Sequence, residues 1–298
     1  QGPDALPGSR SHRGASLKLS SIIGNSVVRA AIAFLALFIV CPRATVALSA
    51  PPDSAGSMFL VGEELFYNVS YASVNLGQVR IRILERREVK GRTVYVGQAN
   101  IDSYKGVPFV DLHVIYDNFI DERMHSAWFQ SRLKGDHGWD TVSYSYDYPN
   151  KQLFVANRPA PGDGSSSDDT LSIESFYQDG LSLFFFARQE VLSRRQLTVP
   201  TVVSEKKGTT SFDFGFERMG EEIDAVDYPV DVAYFKGEAG FVGIFGLTGD
   251  FEGWFSNDGA RVPILAKMKV LIGSVRIELM KWTRAGWNPP RYVRGEQR

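Results

Sequence analysis

The chain has 298 residues, 44% of them hydrophobic and 22% charged, and 33 Lys and Arg stand against 34 Asp and Glu for a formal charge of −1. Such composition is that of a globular protein; it excludes a disordered, collagenous or polytopic membrane chain, and the absence of a basic excess argues against nucleic acid as the main partner. A single cysteine, Cys41, excludes internal disulfides and thiolate metal clusters.

Residues 1–49 read as tag or upstream sequence followed by a secretory signal. The stretch up to Asn25 is rich in Gly, Ser and Arg, and Lys18 and Arg29 then precede twelve uncharged residues from Ala30 to Cys41. A helix of that length reaches about 18 Å, short of the roughly 30 Å hydrocarbon core of a bilayer, so the run suits a signal better than a span. Ala47 and Ser49 have the spacing that signal peptidase accepts, which places cleavage near Ser49. Val40 before Cys41 makes a poor lipobox, and Arg29 interrupts the apolar extension through Val27 and Val28 that an uncleaved anchor would need. Cleavage would remove Arg10, Arg13, Lys18, Arg29, Arg43 and Asp4, leaving 28 basic against 33 acidic residues, or −5.

Residues 50–298 are expected to form one β-rich domain with its core at about 60–283. Leu65, Tyr67, Val69 and Tyr71 alternate with Phe66, Asn68 and Ser70, and Val79, Ile81 and Ile83 alternate with Arg80 and Arg82, the pattern of half-buried strands. Lys90-Gly91 predicts a hairpin turn between Glu88-Val89 and Thr93–Val96, and Pro149-Asn150-Lys151 another between Tyr144–Tyr148 and Leu153–Ala156. Further strands are predicted at 124–133, 199–203, 210–216, 230–235, 260–270 and 274–282, around ten in all, with too little helix between them for βαβ units. One segment departs from the pattern. Asp179 stands as an N-cap before Leu181, Phe184, Phe185 and Arg188, which share one helical face and predict a single amphipathic helix plugging a sheet or barrel. Residues 157–170, with Pro, Gly, Ser and Asp concentrated at 159–169, predict a flexible surface loop.

Motifs for chemistry are sparse. His113, His125 and His137 recur every twelve residues, and a meander could gather them with nearby aspartates, but no HxH or HExxH pair accompanies them, so no metal and no cofactor are expected. Glu63, Glu64, Asp140, Glu252 and Glu278 are candidates for a glycosidase-type pair, and none is singled out. There is no G-x-S-x-G elbow and no glycine loop with a Lys-Ser/Thr partner. From Gly237 to Phe255, glycines at 237, 240, 243, 246, 249 and 253 are interleaved with Phe241, Phe245, Phe251, Trp254 and Phe255. That spacing predicts a bent strand region whose aromatics either cover a cavity or complete a coiled core. Aromatics are 12% of the chain, which suits a pocket for lipids or sugars as well as it suits a β core.

Gly62–Tyr71, Asp179–Arg188, Gly243–Gly249, Arg261–Lys267 and Gly273–Leu279, in that order, resemble the exported bacterial family catalogued as domain of unknown function 3108. The resemblance spans about residues 60–283. It implies a periplasmic or outer-membrane-associated protein of a Gram-negative bacterium, and a curved β fold similar to the half-barrels of periplasmic lipoprotein carriers; it supplies no catalytic residues.

The expected architecture is thus all-β, mainly antiparallel: a strongly curved sheet or open barrel with one amphipathic helix. The leading function is non-enzymatic binding of an apolar or amphiphilic envelope molecule, a lipid, acyl chain or lipid-linked glycan, on the concave surface. Phe184, Phe185, Phe241, Phe245 and Trp254 would line the cavity, and Arg188 or Arg261 would pair with an anionic headgroup. A carboxylate enzyme acting on envelope polysaccharide, and an assembly factor presenting a sheet edge to an outer-membrane or other envelope protein, are the alternatives.

Overall fold

The computed structural model describes residues 58–89, 91–107, 111–240, 249–269 and 273–295. The expected signal segment and cleavage site lie outside them, as do Lys90, Val270, Phe241 and Phe245.

Among these residues fourteen strands form one antiparallel sheet. The first eight are β1 (Glu64–Tyr71), β2 (Val74–Val89), β3 (Arg92–Ser103), β4 (His113–Asp121), β5 (Ser126–Gly135), β6 (Gly138–Asp147), β7 (Gln152–Arg158) and β8 (Ser167–Ser172). After α1 (Gly180–Glu190) come β9 (Gln196–Val203), β10 (Lys206–Glu221), β11 (Val230–Ala239), β12 (Gly249–Ser256), β13 (Pro263–Lys269) and β14 (Ser274–Thr283). The first meander runs outward from β1 to β8, and the second runs inward from β9 until β14 pairs with β1 in the middle of the sheet. Among the described residues no helix is long and apolar enough to cross a membrane.

Alternation explains which way the sheet faces. Tyr67, Val79, Ile101 and Val114 stand directly opposite one another on β1 to β4 and are all buried, whereas Arg80 and Arg82 point to the other face. Bulges at Phe66/Tyr67, Val69/Ser70, Ile83/Glu85, Phe119/Ile120 and Trp254/Phe255 bend the strands and add twist, so the sheet curls around α1. The two edges, β8 and β9, come near each other without pairing. The gap is bridged by Gln178, whose N–H donates to the Pro200 carbonyl at 2.8 Å and whose carbonyl accepts from Val202 N at 2.8 Å. Glu205 N donates to the Tyr144 hydroxyl at 2.9 Å, and Lys207 Nζ to the Ser172 carbonyl at 2.9 Å.

The helix lies inside this curl and is buried on nearly every side. Leu181 and Phe185 pack against the strands of the first meander, while Leu183, Ala187 and Val191 pack against Phe212, Phe214 and Phe235 of the second. The face predicted from Leu181, Phe184, Phe185 and Arg188 is therefore only one of two packed faces. Gly97 makes room for it: a Cβ there would meet the Phe185 ring at 2.8 Å. Both ends of the helix are anchored by buried charge. Asp179 caps the first turn, accepting from Leu181 N at 3.0 Å and Ser182 N at 2.8 Å, and it accepts in turn from Asn118 Nδ2 at 2.9 Å and from the Ser126 hydroxyl. At the other end Arg188 makes a two-pronged pair with Glu63 at 2.5 and 2.8 Å and donates to the Ala260 carbonyl at 3.0 Å, and Arg284 reaches the same carboxylate.

Fourteen strands replace the ten or so expected. β4 was hidden because Asp117 and Asn118 interrupt its apolar alternation. β8 begins inside the expected loop at 157–170 and runs past its end; its sequence, SDDTLS, has almost no apolar content, and backbone pairing with β7 holds it. β12 emerges from the glycine-rich region. Met124 and Ala260, expected in strands, sit in turns that end with φ of +63° at Met124 and +47° at Arg261.

The Glu63 cluster yields a direct test. Replacing Glu63 with Gln leaves two buried guanidinium groups facing a neutral amide, and breaking a buried pair in this way costs about 3–5 kcal/mol. Urea unfolding of E63Q should show a clearly lowered midpoint with an unchanged slope; an unshifted midpoint would show that the cluster does not anchor the helix.

Candidate functional site

Between α1 and the strands lies an apolar cavity of about 100 Å³. Leu183, Phe184 and Ala187 form its helical wall, Val69, Val79 and Ile101 one sheet wall, and Phe212, Phe251 and Phe255 the other. Tyr67 borders it with its polar group engaged, the hydroxyl donating to the Pro263 carbonyl at 3.1 Å, while the Glu252 side chain turns to the outer face of β12 and accepts from the Tyr234 hydroxyl at 2.7 Å. A cavity with such walls offers water too few partners and stays dry, as apolar cavities of comparable size do.

A larger depression of about 900 Å³ lies on the outer face of the same strands, where Asp213, Lys236, Glu252 and Lys267 stand opposite one another. Its walls carry Lys236, Lys267 and Lys269 beside Asp213, Glu238 and Asp250. Lys236 lies 3.8 Å from Asp213, Lys269 pairs with Asp250, and the Lys267 ammonium stands 4.7 Å from the centre of the Trp254 ring. Burial and the bond to Glu252 push the Tyr234 hydroxyl up to about 12, so it remains a proton donor to Glu252 at any physiological pH.

Phe251 lies on the inner face of β12 beside the cavity, and two glycines make room for it and for Phe235. Gly237 faces Phe251 across the β11–β12 ladder, and a Cβ on Gly237 would come within 2.2 Å of the ring; Gly253 faces Phe235 in the same way, at 2.3 Å. Each ring lies flat over the bare backbone of its neighbour strand. The glycines that the sequence marks for bending also clear space for aromatic rings.

The expected ligand-binding residues separate. Phe184 borders the cavity. Phe185 packs instead against Gly97 and against Phe59, with ring centres 5.3 Å apart. Trp254 stands on the opposite face of β12, 5.1 Å from the Tyr234 ring. Arg188 is saturated by Glu63 and Ala260, and Arg261 donates to the Gln189 carbonyl at 2.6 Å, so both guanidinium groups belong to the helix anchor. Phe241 and Phe245 are outside the described residues. The lysines were not legible, because charges alternating along a strand read as a solvated face.

The other candidates are each occupied locally. Among the described residues no three His, Cys, Asp or Glu side chains gather as a metal shell, and His113, His125 and His137 pair separately with Asp102, Asp121 and Asp163 at 2.9, 3.3 and 2.6 Å. Glu63 is held by two arginines, Glu64 pairs with Arg80, Glu278 accepts from Asp224 N at 2.8 Å and from Arg276 Nε at 2.7 Å, and Asp140 accepts from Ala160 N at 2.9 Å.

A curled antiparallel sheet that encloses one buried helix, and leaves its edges joined by a few bonds, defines a β-barrel-like protein of open type. One solved structure agrees with that class. The crystal structure of a β-barrel-like protein from Brucella abortus, of domain of unknown function DUF1849, is similar over 76% of this chain and 99% of that one, with a TM-score of 0.53 and 9% identity, which shows the fold alone. A protein of YmcC-like fold from Bacteroides fragilis aligns over 76% of this chain and 98% of its own at 10% identity, with a TM-score of 0.34, a value that establishes no common fold. Residues 67–280 match the family described as protein of unknown function DUF3108, and the chain belongs to that family. A search of curated proteins finds no sequence match.

Asp179 gives the helix cap a pH dependence. Burial raises its carboxyl from 3.8 to about 6 against the opposing bonds from Ser126, Ser182, Leu181 and Asn118. The folded state thus holds the proton more tightly than the unfolded chain, so this group's contribution to stability is fully present below about 4 and declines as pH rises to about 6. Relative to D179N, the native chain should lose stability across that window and then level off; parallel urea midpoints of the two from pH 4 to 7 would show that the cap does not titrate there.

Proposed function

We propose that this chain is an exported, periplasmic binding protein for an apolar or amphiphilic molecule of the cell envelope: a lipid, an acyl chain or a lipid-linked glycan. One observation carries this reading, the dry apolar cavity enclosed between α1 and the inner face of the sheet. Such a lining takes hydrocarbon and leaves the polar part of an amphiphile outside. The cavity holds the end of an acyl chain. No covalent step is implied.

The test is native mass spectrometry of the chain purified from a bacterial periplasm, with solvent extraction of whatever accompanies it. A stoichiometric amphiphile with an acyl chain is expected. Ala187→Leu, which adds volume to the cavity wall without a new polar group, should abolish its retention while leaving cooperative unfolding intact. Replacing Lys236, Lys267 and Lys269 on the outer face with Gln should leave retention unchanged. Equal retention by native chain and A187L would place the ligand elsewhere, and clean apoprotein from the native host would remove the proposal.

A further inference from the structure

On the face of the sheet turned away from α1, a polar trough of about 700 Å³ runs over β1 and β14, in the middle of the strand order. Register sets its floor: Asn68 of β1 stands between Glu278 and Gln78, and Ser70 between Arg276 and Asn75. The short side chains of β1 make the floor low, and two segments outside the strands raise its sides. The β10–β11 connection crosses over β14, where Asp224 N donates to Glu278 Oε1 at 2.8 Å. Tyr104, just after β3, is fixed by its N–H donating to the Leu76 carbonyl at 2.9 Å. The bulge at Phe66/Tyr67 leaves Met280 without a partner across β1, and its side chain is exposed along the trough.

Among the described residues Arg276 is the only cation in the lining, and Glu278 takes it up, accepting from Nε at 2.7 Å and from a terminal nitrogen at 2.6 Å. An anionic ligand would meet the Asp224 carboxylate and no free cation. What remains is mostly neutral hydrogen-bonding capacity. Tyr104 Oη donates to Asn68 Oδ1 at 3.2 Å, and Asn68 Nδ2 donates to Asn75 Oδ1 at 2.7 Å, which fixes both amides. The Asn75 amide hydrogens, the Ser70 and Ser73 hydroxyls and the Asp224 carboxylate have no partner among the described residues. Donors and acceptors are therefore mixed, and the Tyr104 ring, Ala225 and Met280 set apolar surface between them.

We propose that this trough binds a short neutral saccharide, with Asn75, Asp224 and the two serines on its hydroxyls and the Tyr104 ring and Met280 under its C–H face. A sugar hydroxyl both donates and accepts, as this lining requires, and the ring that carries it presents apolar C–H surface, so one ligand class matches both parts of the wall. Other occupants match only one part. A hydrocarbon chain would bury the amides and the carboxylate unpaired. A peptide adding to the sheet would need a free strand edge, and the edges, β8 and β9, stand at the ends of the strand order while the trough lies at its middle. The volume is that of a small-ligand site. The trough opens on the opposite face from the cavity, and its occupancy does not depend on what the cavity holds.

The experiment is saturation-transfer NMR on the full chain, titrated at millimolar concentration with short neutral oligomers of N-acetylglucosamine, glucose, galactose and mannose. At least one should receive magnetisation from the protein, strongest at its ring C–H protons, and its affinity should not change with salt, since no ion pair holds it. N75A/D224N should weaken that binding about tenfold, as the loss of two hydrogen bonds would. Both side chains are exposed, and the bond from Asp224 N to Glu278 is kept, so this variant folds. Y104F, which keeps the ring, should bind more tightly than Y104A. No transfer to any of the four kinds of oligomer, affinity unchanged in N75A/D224N, or tighter binding of a sulfated oligomer than of its neutral parent would each overturn the proposal. A187L should bind the saccharide as the native chain does, and N75A/D224N should retain the cavity ligand in native mass spectrometry, so failure here and failure of the acyl-chain reading are separable.

Discussion

The structure depends on one helix placed almost wholly out of reach of water. An eleven-residue helix that is buried on both flanks leaves its end groups with no solvent to satisfy them, so partners must be built in. Asp179 supplies them at the start, tied to β4 and β5 through Asn118 and Ser126. Arg188 supplies a second fixed point near the end, tied to the residue just before β1 through Glu63 and, by way of Arg284, to the segment after β14. These ties link the helix to both meanders. Buried ion clusters of this kind contribute little net stability over a well-packed apolar alternative, but they penalise misplacement heavily, because any shift leaves a charge unpaired. Their role here is to fix position.

That position creates the site. Because Leu183 and Ala187 face the second meander at a set height, their contact with Phe212, Phe251 and Phe255 is incomplete, and the small void between them is the cavity. The aromatic packing that surrounds it relies on glycine as much as on phenylalanine. Gly97, Gly237 and Gly253 each sit beneath a ring that a methyl group would displace, so the wall of the cavity is shaped by side chains that are missing.

Much of this was legible in the sequence, and the reasons for the rest are specific. Period-two alternation gave β1, β2 and the paired hairpins, and the Asp179 cap and apolar run located α1 within a residue or two. Strand edges and buried polar residues defeated the pattern: β8 has no apolar face to announce it, and β4 carries Asp117 and Asn118 in positions that read as loop. The site was harder. Phe184 was found because it belongs to a helix, whereas Arg188 looked available to a ligand only because Glu63, far away in sequence, could not be seen to occupy it. Lys236 comes from β11 and Lys267 and Lys269 from β13, and nothing in a linear spacing shows that they share a groove.

The pairing of β14 with β1 at the centre of the sheet has a consequence for how the chain reaches this state. Leu65 must wait for Trp282, and until that late strand arrives the first meander presents an unpaired inner edge through β1. Contacts between such distant parts of a chain form slowly, since the intervening loop must be closed before they reward it. Folding is therefore completed from the middle, by the last strand to be made, and a chain truncated before β14 would hold most of its strands and still lack the seam that joins its two halves.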